Sequence, residues 1–178
     1  MISVKKQMNQ NQNTILIMKN IIRTIMLGLV SMTLASAAPS VGQAMPKLSG
    51  MLPGAAIPNT AGKVVLVDFW ASWCGPCKAS FPCFNRLHQK YAGKGLVIVG
   101  IGVDEDPAKY QAFVAKQQVA FALAHDAKHK AAAFFAPSTM PTSYLVDRKG
   151  IIRYIHSGFK GAKTEAEYAK QIEELLAK

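Results

Sequence analysis

Acidic residues are scarce in this chain of 178 residues: ten Asp and Glu stand against 21 Lys and Arg, a formal net charge of +11. Four of the basic residues, Lys5, Lys6, Lys19 and Arg23, precede position 38, which leaves 17 basic against ten acidic residues, or +7, for the remainder. The chain lacks an arginine-rich arm, a basic strand interleaved with aromatics and any zinc-finger spacing. Nucleic acid is therefore not the expected partner, and the charge reads as a solvated basic surface. Cysteine is equally sparse at three residues, which excludes a miniprotein built on disulfides. The 13 Gly and nine Pro exclude a collagen-like chain. No apolar run is long enough for an obvious membrane span: residues 24–38 make 15 positions, about 22 Å of helix against the ~30 Å of a bilayer core.

Apolar residues are plentiful, at 50% against 17% charged. A chain of this size buries about two thirds of its surface, so a single well-filled domain is expected. Residues 18–38 place Lys19 and Arg23 ahead of an apolar run from Ile25 to Leu34, followed by Ala35-Ser36-Ala37 as a small-residue cleavage site. This is the architecture of a secretory signal, with Met18 as the expected true start and a retained membrane anchor as the lesser alternative. Export implies an extracytoplasmic, periplasmic location in which disulfides persist. Residues 39–62, rich in Pro, Gly and Ala, read as a linker with an uncertain first strand, and residues 63–178 as the folded domain.

Within that domain Val64–Trp70 and Leu96–Val103 are short, β-branched runs, the pattern of strands buried on both faces. A helix is expected from about Cys74 to Tyr91, and another after Asp106 at the N-cap and Pro107 in the first turn, ending near Gln118. Phe121–Ala124 reads as a short strand and Ala127–Phe135 as a short helix halted before Pro137. Thr142–Val146 and Ile151–His156 flank a turn at residues 147–150 as an antiparallel hairpin. The last helix is expected to open on a capping box of Thr164 and Glu167, with Tyr168, Ile172, Leu175 and Leu176 on one side. Helices between the first strands and a closing hairpin define an α/β class with a mixed sheet.

The chemistry concentrates at Trp73-Cys74-Gly75-Pro76-Cys77, where the first strand meets the first helix. Cysteines three apart on a helix have Cα atoms about 5 Å apart, inside the ~4.4–6.8 Å window for a disulfide. Cys74 would also lie at unpaired backbone N–H groups and the positive end of the helix dipole, which favour its thiolate; Cys77, one turn further in, lacks that help. Cys74 is thus expected to attack and Cys77 to resolve. For a bare C-x-x-C the other readings are a zinc knuckle or a static disulfide. Zinc would want a second ligand pair, and the one further cysteine is Cys83. Six residues beyond Cys77 on the same helix, Cys83 lies about 10 Å away, too far to bridge. It reads as a small buried hydrophobe, with an intermolecular disulfide or a soft-metal thiol as alternatives. His88, His125, His129 and His156 are scattered and read as surface residues. Asp68, six residues before Cys74 in an apolar strand, needs a reason to be there, because a buried carboxylate must be hydrogen-bonded or protonated. Exposure at the strand end is the plainer alternative.

The segment VDFWASWCGPCK resembles the active-site segment of thioredoxins. With Phe81-Pro82, VDEDP at 103–107 and MPTSYLVDRKG at 140–150, the chain from about Gly62 to Lys178 is similar to periplasmic thioredoxin-like thiol:disulfide oxidoreductases of the TlpA, ResA and DsbE type. The resemblance implies a thioredoxin-like fold with a central mixed sheet flanked by helices. It implies protein-disulfide exchange through a Cys74–Cys77 disulfide with no dissociable cofactor and no metal, and Asp68 as a buried acid that relays the proton of the resolving cysteine. Substrate would bind at Trp73, Gly75, Pro76 and Met140-Pro141, the last joined by a cis bond, with Met140 presenting its backbone to an extended chain. Thioredoxins place a lysine near the buried acid; the matching position here is Gly100. The Gly75-Pro76 pair is that of reducing thioredoxins. Expected partners are protein disulfide substrates, such as apocytochrome c, and a transmembrane thiol reductase as electron donor, with the protein itself a monomer. A competing reading is copper binding or delivery, in which Cys74 and Cys77, with or without a histidine, hold Cu(I), an ion suited to soft thiolates.

Overall fold

A computed structural model describes residues 18–19 and 38–178. The signal reading of residues 1–38, including cleavage after Ala37, falls outside them but for Met18, Lys19 and Ala38. Among the described residues no helix is long and apolar enough to cross a membrane.

The strands form where β-branched and aromatic residues run without interruption. β1 (Val64–Trp70) is buried at every position, as expected of a strand covered on both faces. It pairs in parallel with β2 (Leu96–Gly102), which pairs in parallel with β3 (Ala122–His125). On its other side β1 pairs antiparallel with β4 (Thr142–Val146), and β4 with β5 (Ile152–Ser157). The sheet order is therefore β3-β2-β1-β4-β5, mixed as anticipated, with β1 at its centre.

The residues before β1 are more than a linker. Leu48–Met51 forms a one-turn helix, α1, and Leu48 and Leu52, one turn apart, are both buried in the core. The uncertain first strand is a single bridge, Ala44 to Ile151, extended by Gly42 N–H donating to Ile152 O at 2.8 Å and Met45 N–H donating to Gly150 O at 2.8 Å. These residues cover the outer edge of β5.

α2 (Gly75–Tyr91) follows β1, with Pro82 inside it. α3 (Pro107–Val114) carries the expected cap, the Asp106 carboxylate accepting from Ala108 N–H at 2.8 Å, but ends short of Gln118. Lys116 and Gln117 donate to the carbonyls of Phe113 and Val114, three residues back, which tightens the chain out of the α-helix. α4 (Lys130–Phe135) starts later than Ala127 because His129 adopts a left-handed φ of 51° and the Asp126 carboxylate captures Ala132 N–H. α5 (Ala162–Leu176) has Gly161 at its N-cap, and the Thr164–Glu167 capping box does not form. Thr164 lies inside the first turn, where its hydroxyl accepts from Lys160 N–H at 3.0 Å.

Side chains two apart on a strand share a face, so Asp68 and Trp70 point to the same side of β1. There the Trp70 ring packs against Phe81 of α2 (5.4 Å) and against Tyr110 and Phe113 of α3 (5.5 and 5.0 Å). The indole fits because β2 carries glycine opposite it. A Cβ on Gly102 would lie 2.6 Å from the Tyr110 ring and 2.9 Å from the Trp70 ring. On the opposite face Phe69 and Tyr144 pack on Phe135 of α4. We expect Gly102→Ala to destabilise the protein by about 1–3 kcal/mol in urea unfolding through overpacking. Gly50→Ala, in a helical turn where a Cβ meets nothing within 4 Å, should not destabilise and should gain up to about 1 kcal/mol from helix propensity; an equal loss at the two positions would show that the close approach at Gly102 is not the cause.

Candidate redox site

The chain leaves β1 at Trp70, turns through residues 71–73 and enters α2 with Cys74 at its N-cap. The turn is held from β2's end, where the Asp104 carboxylate accepts from Ser72 N–H at 2.9 Å and from Ser72 Oγ at 2.5 Å. Asp104 is buried and its own carbonyl lies 2.7 Å from His125 Nε2, while the His125 ring stacks on Tyr110 at 4.2 Å. Asp104 was not singled out as a site residue from the sequence. Its signal was a carboxylate immediately after a buried strand and ahead of a separate N-cap aspartate.

Cys74 and Cys77 form a disulfide with Cα atoms 5.3 Å apart, matching the helical spacing. Cys77 N–H points at Cys74 Sγ at 3.2 Å. That orphan donor and the aligned peptide dipoles of α2 would stabilise negative charge on Cys74 once the disulfide opens. Cys74 is 5% exposed and Cys77 1%, so Cys74 is the less covered of the pair. Gly75 and Pro76 occupy the exposed first turn of α2.

Trp73 is 70% exposed, an unusual position for an indole and one that presents an apolar face beside Cys74. The Met140-Pro141 bond is cis, as the resemblance implies, with Pro141 buried and Met140 half-buried. Trp73 and Met140, 67 residues apart, line one open cavity of about 550 Å³ together with Asp104, Glu105, Lys109 and Ala136. Gly75, Pro76 and Pro141 do not line it.

Asp68 is fully buried, so exposure at the strand end is ruled out. Its Oδ1 accepts from Ser143 Oγ at 2.6 Å and its Oδ2 has no partner. Burial pushes its pKa up to about 8, against the opposing pull of the Ser143 hydrogen bond. Gly100 is its register partner on β2, and no lysine could stand there without displacing Leu123, whose Cδ2 would lie 2.8 Å from the added Cβ, or crowding the Trp70 indole nitrogen at 3.2 Å. Among the described residues Asp68 has no cationic partner.

Cys83 is buried and free, and burial raises its thiol to about 12, which keeps it unreactive. The histidines are not surface residues: all four are half-buried. His156 Nε2 lies 2.7 Å from Gln171 Oε1, and His88 Nδ1 is buried without a partner. Among the described residues no three His, Cys, Asp or Glu side chains gather into a group able to hold a metal ion.

A family model described as Redoxin matches residues 40–172. Thiol-disulfide oxidoreductase ResA of Bacillus thuringiensis subsp. konkukian is 34% identical over 118 residues, 66% of this chain and 64% of that protein. A ResA of Bacillus cereus is 35% identical over 89 residues, 50% of this chain and 51% of that protein. The chain thus spans between about half and just under two thirds of the length of these relatives. Among solved structures, a DsbE-type thiol:disulfide interchange protein from Chlorobium tepidum is 32% identical with a TM-score of 0.69, covering 78% of this chain and 99% of that one. StoA from Bacillus subtilis, 24% identical with a TM-score of 0.57 over 74% and 99% of the two chains, shares the fold.

The buried acid has a consequence for stability. A carboxyl whose pKa rises on folding keeps a proton that the unfolded chain releases, so stability present below about pH 4 is lost as pH rises towards about 8. Asp68→Asn should therefore make the oxidised protein more stable than the wild type at pH 8, by roughly 2 kcal/mol or more, and no more stable at pH 4. Urea unfolding at the two pH values checks this, and a difference that does not change with pH would count against it.

Proposed function

The chain belongs to the Redoxin family, and from that premise we propose that it is a thiol:disulfide oxidoreductase of the ResA/DsbE type that reduces protein disulfides outside the cytoplasm. The observation that carries this reading is the Cys74–Cys77 disulfide at the N-terminus of α2, with the capping residue Cys74 the more exposed of the two cysteines. In the reduced protein the Cys74 thiolate attacks a substrate disulfide, forming one S–S bond while the first substrate sulfur departs as a thiolate. Cys77 then gives up its proton to Asp68, and its sulfur bonds to Cys74 Sγ. The bond from Cys74 to the second substrate sulfur breaks, and that sulfur leaves with the electron pair. Substrate is reduced by two electrons and the enzyme's dithiol becomes its disulfide, so no dissociable cofactor is needed.

Trp73 and Met140 supply the apolar walls for the polypeptide flanking the substrate cysteine, and the backbone at Met140 offers strand-like hydrogen bonds. Gly75 and Pro76 shape the exposed turn between the sulfurs. The leader at residues 18–38 supports export to the periplasm, and the resemblance supports a transmembrane thiol reductase as donor, cysteine pairs such as those of apocytochrome c as targets, and action as a monomer.

Equilibration of the purified protein in glutathione or dithiothreitol buffers tests the direction. A reduction potential near the thioredoxin value of about −270 mV is expected; one near the strong oxidants, about −120 mV, would make the protein a disulfide donor instead. Stopped-flow measurement separates the two chemical steps. Asp68→Asn should slow resolution of the mixed disulfide at least tenfold more than the initial attack, and equal slowing of both would remove Asp68 from the relay.

A further inference from the structure

Two buried hydroxyl groups stand in line beside the carboxyl of Asp68. Ser143 is the register partner of Asp68 across β1 and β4, and its Oγ donates to Asp68 Oδ1 at 2.6 Å. The same Oγ lies 2.7 Å from the hydroxyl of Tyr168 on α5. A serine hydroxyl has one hydrogen. With that hydrogen on Asp68, Tyr168 must be the donor to Ser143, and the chain runs from Tyr168 through Ser143 to Oδ1. Ser143 and Tyr168 are each 1% exposed, so water does not compete for either hydroxyl. Oδ2 of Asp68 is buried with no partner. The two oxygens of one carboxyl group are thus unequal: one is held, the other is open.

We propose that Ser143 and Tyr168 are positioning residues for proton exchange at Asp68, holding Oδ1 so that Oδ2 is the oxygen that takes and returns the proton. This rests on the reading of Asp68 as the acceptor for Cys77. In the resolving step the Cys77 thiol proton passes to Oδ2, the Cys77–Cys74 S–S bond forms, and the bond between Cys74 and the substrate sulfur breaks. The neutral acid afterwards returns its proton to the departing thiolate or to water. The hydroxyl chain donates more strongly to the ionised carboxylate than to the neutral acid, so it works against the burial that favours the protonated form. Among the described residues no cation helps to balance that burial. The groups around Asp68 are Cys83 on α2 and Tyr168 on α5, with His156 of β5 packed on Tyr168 at 4.5 Å; β2 contributes Gly100. None is a fixed cation, and the two hydroxyls are what remains to hold the carboxylate.

The test reads Asp68 directly, by carbon-13 NMR titration of its side-chain carboxyl in the oxidised protein, where no turnover occurs. Ser143→Ala should raise the midpoint by at least one pH unit, a tenfold change in the ionisation equilibrium, and Tyr168→Phe should raise it by less. Ser143→Thr, which keeps the hydroxyl, should bring the midpoint back to within a few tenths of the wild type. In the reduced protein the apparent pKa of the resolving step should move with the carboxyl while the first attack by Cys74 stays within twofold. Midpoints unchanged in Ser143→Ala and Tyr168→Phe, in proteins whose amide spectra show the native fold, would overturn the proposal. A protein that reacts with no disulfide, yet whose Asp68 midpoint still responds to Ser143→Ala, would overturn the proposed function and leave the hydroxyl chain standing.

Discussion

Every side chain of β1 is closed off from solvent, so a polar group placed among them has to be answered from within the protein. Two are there, the indole N–H of Trp70 and the carboxyl of Asp68, and Asp68 is the one that can carry a charge. Burying an unpaired carboxylate costs several kcal/mol, and a sequence under no other constraint would carry valine or leucine at that position. Much of the surrounding structure follows from keeping it. Ser143 sits at the facing position of β4, Tyr168 reaches Ser143 from α5, and glycine at 100 keeps β2 from pressing on the Trp70 ring beside them. The strand that buries the acid also ends in the turn that presents Cys74, so the sealed core and the reactive sulfur belong to one continuous element.

Backbone geometry already sets the two cysteines apart. Both come from the same helix, four residues inclusive, and both are largely covered. The N-cap position gives Cys74 the N–H of Cys77 and the positive end of α2, whereas Cys77 is already inside the hydrogen-bonded helix. Ser72 bound to Asp104 fixes the turn just before Cys74, which holds the capping sulfur where the helix field is strongest. Trp73, between those two anchored residues, is exposed to solvent, and Met140 lines the same cavity.

Where structure depends on local pattern, the sequence was readable. β1 and β4 match their apolar runs to the residue and β2 to within one, because β-branched residues buried on both faces leave little choice of boundary. Helical spacing allowed the Cys74–Cys77 pairing and the family resemblance implied it. Helix ends were less legible: α3 stops at a tightened turn, α4 waits for a left-handed His129, and α5 takes a glycine cap in place of Thr164, all backbone choices that apolar periodicity does not encode. The cis bond at Pro141 was accessible only through the family resemblance. Asp104, Ser143 and Tyr168 were missed for a different reason. Each acts on a partner 25 to 75 residues away, and only the strand register and the seating of α5 bring them together.

Gly100 shows how one packing decision propagates into chemistry. A long cation at that position would place a charge near Asp68, but the space is already taken by the Trp70 indole and Leu123. Trp70 in turn fastens α2 and α3 to the sheet, so it cannot be traded away without loosening the helix that carries both cysteines. The site is therefore committed to a neutral environment for its acid. With no cationic partner among the described residues, ionisation of Asp68 is governed by the balance between burial and donated hydroxyl hydrogens, two effects that salt screens poorly. Proton uptake at this acid should accordingly be insensitive to ionic strength and sensitive to hydroxyl geometry.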